Sequence, residues 1–350
     1  MKGTAMEPKT STTQLYCGMD LHSNNVYCAI IDQSGGRRAK KRLPLDIERI
    51  INYLEPYRGE LKETAVESTY NWYWLVDGLQ EAGFHVRLAN PAAMSQYSGI
   101  KQTDDQSDAF WIAQMLQLGI LPEGYIYPKQ LRPVRDMLRR RRLVIEQRTQ
   151  TLLCLQSMIA RNTAKKVSVT NLKKWTPKEV KTCFEHPHLK QTASSMRKMI
   201  STQDDVIEYL GVQAEGMVKL SQSYRRLLTA PGIGTVLGVT IMLETGPIER
   251  FQSAGCYASY CRAVSSSRTS NDKKKGGNNK KNGNKYLAWA FVEAANHAQQ
   301  HYPQIRHWFD KKKSATNRIV AVKSLACKLS KAVYYILRDD TEFNMNKMFG

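Results

Sequence analysis

The sequence predicts an α/β domain at the N-terminus, a helical arm in the middle and a mainly α domain at the C-terminus. Three observations predict it. Short β-branched and aromatic runs alternate with helical periodicity over the first third of the chain. Two long helical stretches follow, separated by a polar interruption. The remainder is helical on both sides of one stretch rich in Ser, Asn, Gly and Lys. A chain of 350 residues, 42% of them hydrophobic, is long enough for two or three cores. The expected domains are 1–128, 129–226 and 227–350.

Leu15 to Met19 and Val26 to Ile31 read as strands joined by the polar turn His22-Ser23-Asn24-Asn25. Ser34-Gly35-Gly36 turns the chain again, and Arg38 to Leu43 returns as a third strand. Asp46 caps a helix to about Tyr57, with Ile47, Ile50, Ile51 and Leu54 at helical spacing. Thr64 to Val66 is a fourth strand ending in Glu67, followed by a helix from about Tyr70 to Ala82 that Gly83 stops. His85 to Ala89 is a fifth strand closed by Asn90-Pro91, and Asp105 to Leu118 is helical. Three strands, a helix, then alternating strand and helix is the order of an RNase H-like fold.

Leu138, Ile145, Leu152, Leu155 and Ile159 form a coiled-coil seam on a helix from about Leu131 to Ala160. A second long helix is expected from about Thr192 to Leu228, and the two form an antiparallel arm. Beyond it, helices run from about Tyr286 to Gln300 and from Ile319 to Leu337, so Ser265 to Lys285 is an exposed loop.

Fifty-two Lys and Arg against 31 Asp and Glu give a net charge of +21, which draws a protein to nucleic acid by counterion release. No apolar run reaches the ~20 residues that span a bilayer. The first 14 residues lack the apolar stretch of a secretory signal. Seven scattered cysteines show no paired CxxC spacing, so a disulfide framework and a zinc site are both disfavoured. A reducing cytoplasm fits this pattern.

Against that surplus, Asp20, Glu67, Asp105 and Asp108 stand out. Asp20 and Glu67 close apolar strands, and Asp105 and Asp108 lie one helical turn apart. Hard oxygen ligands gathered in this way suit Mg²⁺, and two such ions ~3.5–4 Å apart assist phosphodiester chemistry. Taken singly, Asp105 reads as a helix N-cap and Asp20 as a polar strand end. Asp104 replaces Asp105 under a one-residue shift, but only Asp105 to Asp108 gives the single-turn spacing.

Pro231-Gly232-Ile233-Gly234 resembles a helix-hairpin-helix turn, in which Gly232 and Gly234 expose backbone N–H groups to phosphate. A plain helix connection reads equally well. Arg139, Arg140, Arg141 and Arg142 are candidate phosphate contacts, or a solvated helix face. The loop carries Lys273, Lys274 and Lys275 beside Ser265, Ser266, Ser267 and Ser270. By composition it is a basic phosphate-binding loop; a serine nucleophile is the sharper reading, and composition does not choose among the four.

Gly18-Met19-Asp20, Val66-Glu67-Ser68-Thr69-Tyr70, Asn90-Pro91 and Thr103 through Asp108-Ala109 form one series of blocks. Ala230 through Gly234, Tyr260-Cys261-Arg262, Ser270 to Lys275 and Lys281-Asn282-Gly283-Asn284 continue it. In order and spacing these resemble the DEDD transposases of insertion sequences, whose members include bridge-RNA-guided recombinases. The resemblance implies a RuvC-like domain holding Mg²⁺ on Asp20, Glu67, Asp105 and Asp108. It also implies a coiled-coil arm and a C-terminal transposase domain with a catalytic serine. Ser270 fits that serine best; the family usually has glycine where Asp272 stands, which keeps Ser267 as a second choice. It further implies donor and target DNA, a structured guide RNA from the element's own flank, and a tetramer built as a dimer of dimers. A hydrolytic nuclease using the same carboxylates with water, and a non-catalytic RNA scaffold, are the competing readings.

Overall fold

The computed structural model describes residues 13–94, 105–216, 221–264, 267–270, 273–277 and 282–350, with the backbone alone at 105–106, 267–270 and 273–277. The chain forms two compact units, Met1–Lys129 and Gln130–Gly350.

The first unit is a mixed α/β sheet domain of RNase H-like order. Its strands are β1 (Leu15–Leu21), β2 (Asn25–Asp32), β3 (Arg37–Pro44), β4 (Leu61–Glu67), β5 (Val86–Ala89) and β6 (Glu123–Gly124). The sheet order is β3-β2-β1-β4-β5-β6. β1, β2 and β3 pair antiparallel as a meander, β1, β4 and β5 pair parallel, and β6 closes the edge antiparallel. The helices are α1 (Ile47–Leu54), α2 (Tyr73–Glu81), α3 (Pro91–Met94) and α4 (Asp105–Gln117). Asp46 caps α1 by accepting from the backbone of Glu48 and Arg49, as its position before an apolar run predicts.

Side-chain alternation divides this sheet into two buried faces. On one, Leu15, Cys17, Met19, Leu21 and Val66 pack against Ile50 and Leu54 of α1 and Leu75 and Leu79 of α2. On the other, Tyr16, Ala29, Ile31 and Ala65 pack against Ala109, Phe110, Ile112 and Ala113 of α4.

The second unit opens with α5 (Arg132–Thr163), then α6 (Val169–Lys174), α7 (Pro177–Lys181), α8 (Pro187–Gly216) and α9 (Gln222–Leu227). Arg141 meets Ile207, Arg148 meets Asp204 and Thr151 meets Met199, so α5 and α8 run antiparallel, as expected of the arm. Two expectations change. The polar interruption holds two short helices, and Leu172, Val180 and Phe184 build a core there with Leu152, Leu155, Ile159 and Ile200. The second arm helix is described over Pro187–Gly216, and Ser221, extended in backbone, caps a separate α9 by accepting from Tyr224 N, so one uninterrupted helix to Leu228 is not formed. A serine cap favours a fresh start.

The remaining elements are α10 (Thr235–Thr245), α11 (Ala254–Tyr260), β7 (Ser267–Ser270), β8 (Lys273–Gly277), α12 (Lys285–His301), α13 (Pro303–Ala315), α14 (Arg318–Asp339) and α15 (Met345–Phe349). Tyr257, Phe291, Leu325 and Leu329 centre their core. β7 and β8 pair antiparallel within the stretch expected to be loop. Backbone hydrogen bonds suffice for such pairing, so an apolar pattern need not announce it. Among the described residues no helix is long and apolar enough to cross a membrane.

Candidate functional site

In the first unit, β1 and β4 lie side by side and parallel, with Met19 opposite Val66. Asp20 and Glu67 follow at the same end of the two strands. Asp20 is two residues beyond Gly18 and Glu67 two beyond Ala65, so both belong to the face that α4 covers. Gly18 explains how closely that helix approaches. A Cβ at position 18 would lie 2.5 Å from Ala113 N and closer still to the Ala109 carbonyl oxygen. Only a glycine lets the backbones of β1 and α4 meet there.

The direction of α4 then fixes where its acids fall. Gln117, at its C-terminal end, donates Nε2 to Gln33 O at 3.1 Å, in the turn after Asp32. Asp32 pairs with Leu15, at the start of β1. The N-terminal end of α4 therefore points toward the Asp20 end of the strand, carrying Asp105 and, one turn on, Asp108. Asp20 is 3% exposed, Glu67 is half-buried and Asp108 Oδ1 is shielded from solvent. The Asp105 side chain lies outside the described residues.

His22 enters this group, which the sequence had offered only as a turn residue. Its Nε2 lies 3.2 Å from Asp20 Oδ2. Asn71 donates to His22 O at 3.1 Å and accepts from Thr69 Oγ1 at 2.8 Å, tying the turn after β1 to the segment after β4. Carboxylate oxygens with one imidazole would suit Mg²⁺ better than a soft cation. Among the described residues, no three His, Cys, Asp or Glu stand close enough together to hold a metal ion.

In the second unit, the segment holding β7 and β8 is closed at its root. Arg262 adopts φ 55°, a left-handed conformation uncommon outside glycine. Its Nε donates to Asn282 O at 2.8 Å and its Nη2 to Gly283 O at 3.0 Å. Gly283, at φ 78°, fits because a Cβ there would lie 2.6 Å from Tyr260 O. Asn284 N donates to that same oxygen at 2.6 Å.

Asn284 also caps α12, accepting from Tyr286 N and Leu287 N, and its Nδ2 donates to Glu244 Oε2 at 2.8 Å. Glu244, on α10, is 2% exposed and accepts from Arg135 Nε at 3.1 Å and from Arg139 at 2.6 and 2.9 Å. Burial raises its pKa, but the Arg139 hydrogen bond, the charges of Arg135 and Arg139, and Asn284 outweigh it and hold the carboxylate below its ordinary value. Glu244 had no part in the sequence reading, and Arg262 and Asn284 stood only within blocks of the resemblance, without an assigned role. The available signal was an acid closing the apolar run Val236 to Leu243.

Ser270 ends β7 opposite Lys273, and Ser267 begins it. The side chains of Ser267, Ser270 and Lys273 to Lys275 lie outside the described residues, as do Ser265 and Ser266 entirely. Arg139 is bound to Glu244 and lies 4.3 Å over the Tyr286 ring. Arg141 donates to Ile207 O, and Arg142 donates to Lys285 O at 3.0 Å and pairs with Glu146. Arg140 is the exposed member of the run. Gly232, at φ 78°, packs against α12, where a Cβ would lie 2.8 Å from Ala298 N; Gly234 is exposed and begins α10.

A family model for DEDD transposases of the IS110 type, described as transposase, matches residues 17–161, and one described as transposase of the IS116/IS110/IS902 family matches residues 224–309. The first spans the carboxylates, and the second spans Glu244 and the serine segment. No curated protein matches the chain.

Proposed function

The chain belongs to the IS116/IS110/IS902 family of insertion-sequence transposases, and on that footing we propose a recombinase that excises and inserts its own element through a serine–DNA intermediate. The observation that carries this reading is the approach of α4 to β1 at Gly18, which gathers Asp20, Glu67 and the acidic end of α4 at one end of the sheet. Those residues would hold Mg²⁺, with Asp105 completing the set. When bound, the ion neutralises charge on the scissile phosphate and on the leaving oxygen.

The Ser270 hydroxyl oxygen attacks phosphorus. The new Ser–O–P bond replaces the P–O3′ bond, the hydroxyl proton is lost, and the 3′-oxygen leaves and takes up a proton. A 5′-phosphoserine and a free 3′-hydroxyl result. Attack by a new 3′-hydroxyl reverses the step, rejoins DNA and frees the serine without a high-energy cofactor. Serine and carboxylates meet in a composite site made by different copies of the chain, and a structured RNA from the element's flank pairs with donor and target. The exposed apolar residues Met199, Val206, Tyr209 and Val212 on α8 support self-association through the arm.

Ser270→Ala is expected to abolish the covalent protein–DNA adduct while DNA binding persists. An adduct lost only in Ser267→Ala moves the role to that residue. An adduct in both single variants and their double variant, or a free 5′-phosphate as the sole product, overturns the serine mechanism, the latter in favour of metal-activated water. The guide is tested separately: the purified chain is expected to bring down one discrete RNA from its element's flank, and a random RNA population rejects it.

A further inference from the structure

β3 forms one edge of the sheet, and its eight residues include Arg37, Arg38, Lys40, Lys41 and Arg42 with no acid among them. Arg38 Nε lies 2.8 Å from Asp32 Oδ2, and Arg37 sits 4.4 Å over the Phe110 ring. Lys41 and Arg42 are exposed and border an open groove of about 600 Å³ between β3 and α1. Arg49, Asn52, Tyr53 and Tyr57 line its far side.

Cations on an edge strand commonly serve to keep the edge from pairing with another chain. That role needs no concavity and no cation on a neighbouring helix. Here Arg49 faces the strand from α1, and the lining contains three cations and no carboxylate. The nearest acid to Arg49 is Asp46, at 3.5 Å, whose carboxylate already accepts from two backbone N–H groups of α1. Lys41 lies 5.6 Å over the ring of Tyr53, which meets Tyr57 edge to face at 6.2 Å. Interleaved cations and amphipathic rings match a sugar–phosphate chain, with charge for phosphate and ring surface for sugar or base.

The groove opens on the α1 face of the sheet, opposite the face of the carboxylates, but at the same end of the strands. Asp20 pairs with Tyr27, and Tyr27 pairs with Arg42, so Arg42 shares a cross-strand row with Asp20. At ~4.8 Å per strand, two strands over is roughly 10 Å. We propose that the β3–α1 groove binds the phosphodiester backbone of a nucleic-acid strand flanking the carboxylate end of the sheet. This rests on the transposase reading only for the identity of the strand as the reacting one.

The test is the salt dependence of binding. Each phosphate neutralised contributes a slope of about −0.9 in log Kobs against log[salt] for duplex DNA and about −0.7 for single strands. The exposed triple variant Lys41→Gln/Arg42→Gln/Arg49→Gln is expected to flatten that slope by about 2 to 3 units. Single-stranded DNA, duplex DNA and RNA of one sequence serve as probes, and the one showing the loss identifies the strand bound. A control of equal charge, Lys311→Gln/Lys312→Gln/Lys313→Gln on α13, is expected to leave the slope unchanged. An unchanged slope in the groove variant, or an equal loss in the control, overturns the proposal. A wild-type chain that binds no probe overturns both the groove and the transposase reading. A slope loss in the groove variant with no adduct from the wild type keeps the groove and removes only the serine mechanism.

Discussion

The carboxylate end of the sheet and the root of the Ser270 segment each hold a few side chains in place, by opposite physical means. In the first unit the frame is apolar: strand register aligns Asp20 with Glu67, and α4 is pressed onto β1 where Gly18 leaves no side chain in the way. Asp20, Glu67 and Asp108 then lie at one end of that core. In the second unit the frame is itself charged. Glu244 is buried among Arg135, Arg139 and Asn284, and Arg262 bridges the two ends of the segment through carbonyls. An apolar frame tolerates changes of charge but not of volume, and a buried polar frame the reverse.

Three substitutions sharpen or break that contrast. Glu244→Ala leaves two arginines without their carboxylate, and breaking such a buried pair costs about 3–5 kcal/mol, read as a lower urea midpoint. A loss well below 1 kcal/mol would show the network to be solvated, erasing the contrast. Gly18→Ala forces a methyl group between β1 and α4 and is expected to cost about 1–3 kcal/mol, with DNA cleavage falling further than DNA binding. Full activity at wild-type stability would mean that α4 yields and does not set the acids. The smallest effect is one of pH. Because Glu244 titrates below its ordinary value in the folded chain, its contribution is present above the unfolded carboxylate pKa and fades as pH falls through the folded one. Glu244→Gln should therefore lose less stability than the wild type between about pH 5 and pH 3.

The sheet was legible because its signals are local. The β-branched and aromatic runs Leu15 to Met19 and Val26 to Ile31, the Asp46 cap and the Gly83 stop each act within a few residues. The acids were legible as strand ends and one helical turn. What could not be read was contact between elements. Gly18 is needed only because Ala109 and Ala113 arrive from a helix some ninety residues later. His22 reads as a turn residue until the fold sets it beside Asp20. Arg139 to Arg142 looked like a phosphate stripe, yet four consecutive residues at about 100° each go most of the way round a helix. Some of them had to face inward, and Arg139 and Arg141 do.

The arm has a mechanical consequence. Its tip is stiffened by the core of Leu155, Leu172, Val180 and Phe184, and its base by that of Val134, Leu138, Tyr224 and Leu243. Between them the two helices are linked through polar contacts, Arg141 to Ile207 O and Arg148 to Asp204. Parting two polar contacts costs less than opening either core, which exposes apolar surface. A load applied at the tip is therefore absorbed as bending in the middle of the arm. What passes further down α5 reaches Arg139, and through Glu244 and Asn284 the strand pair that carries Ser270.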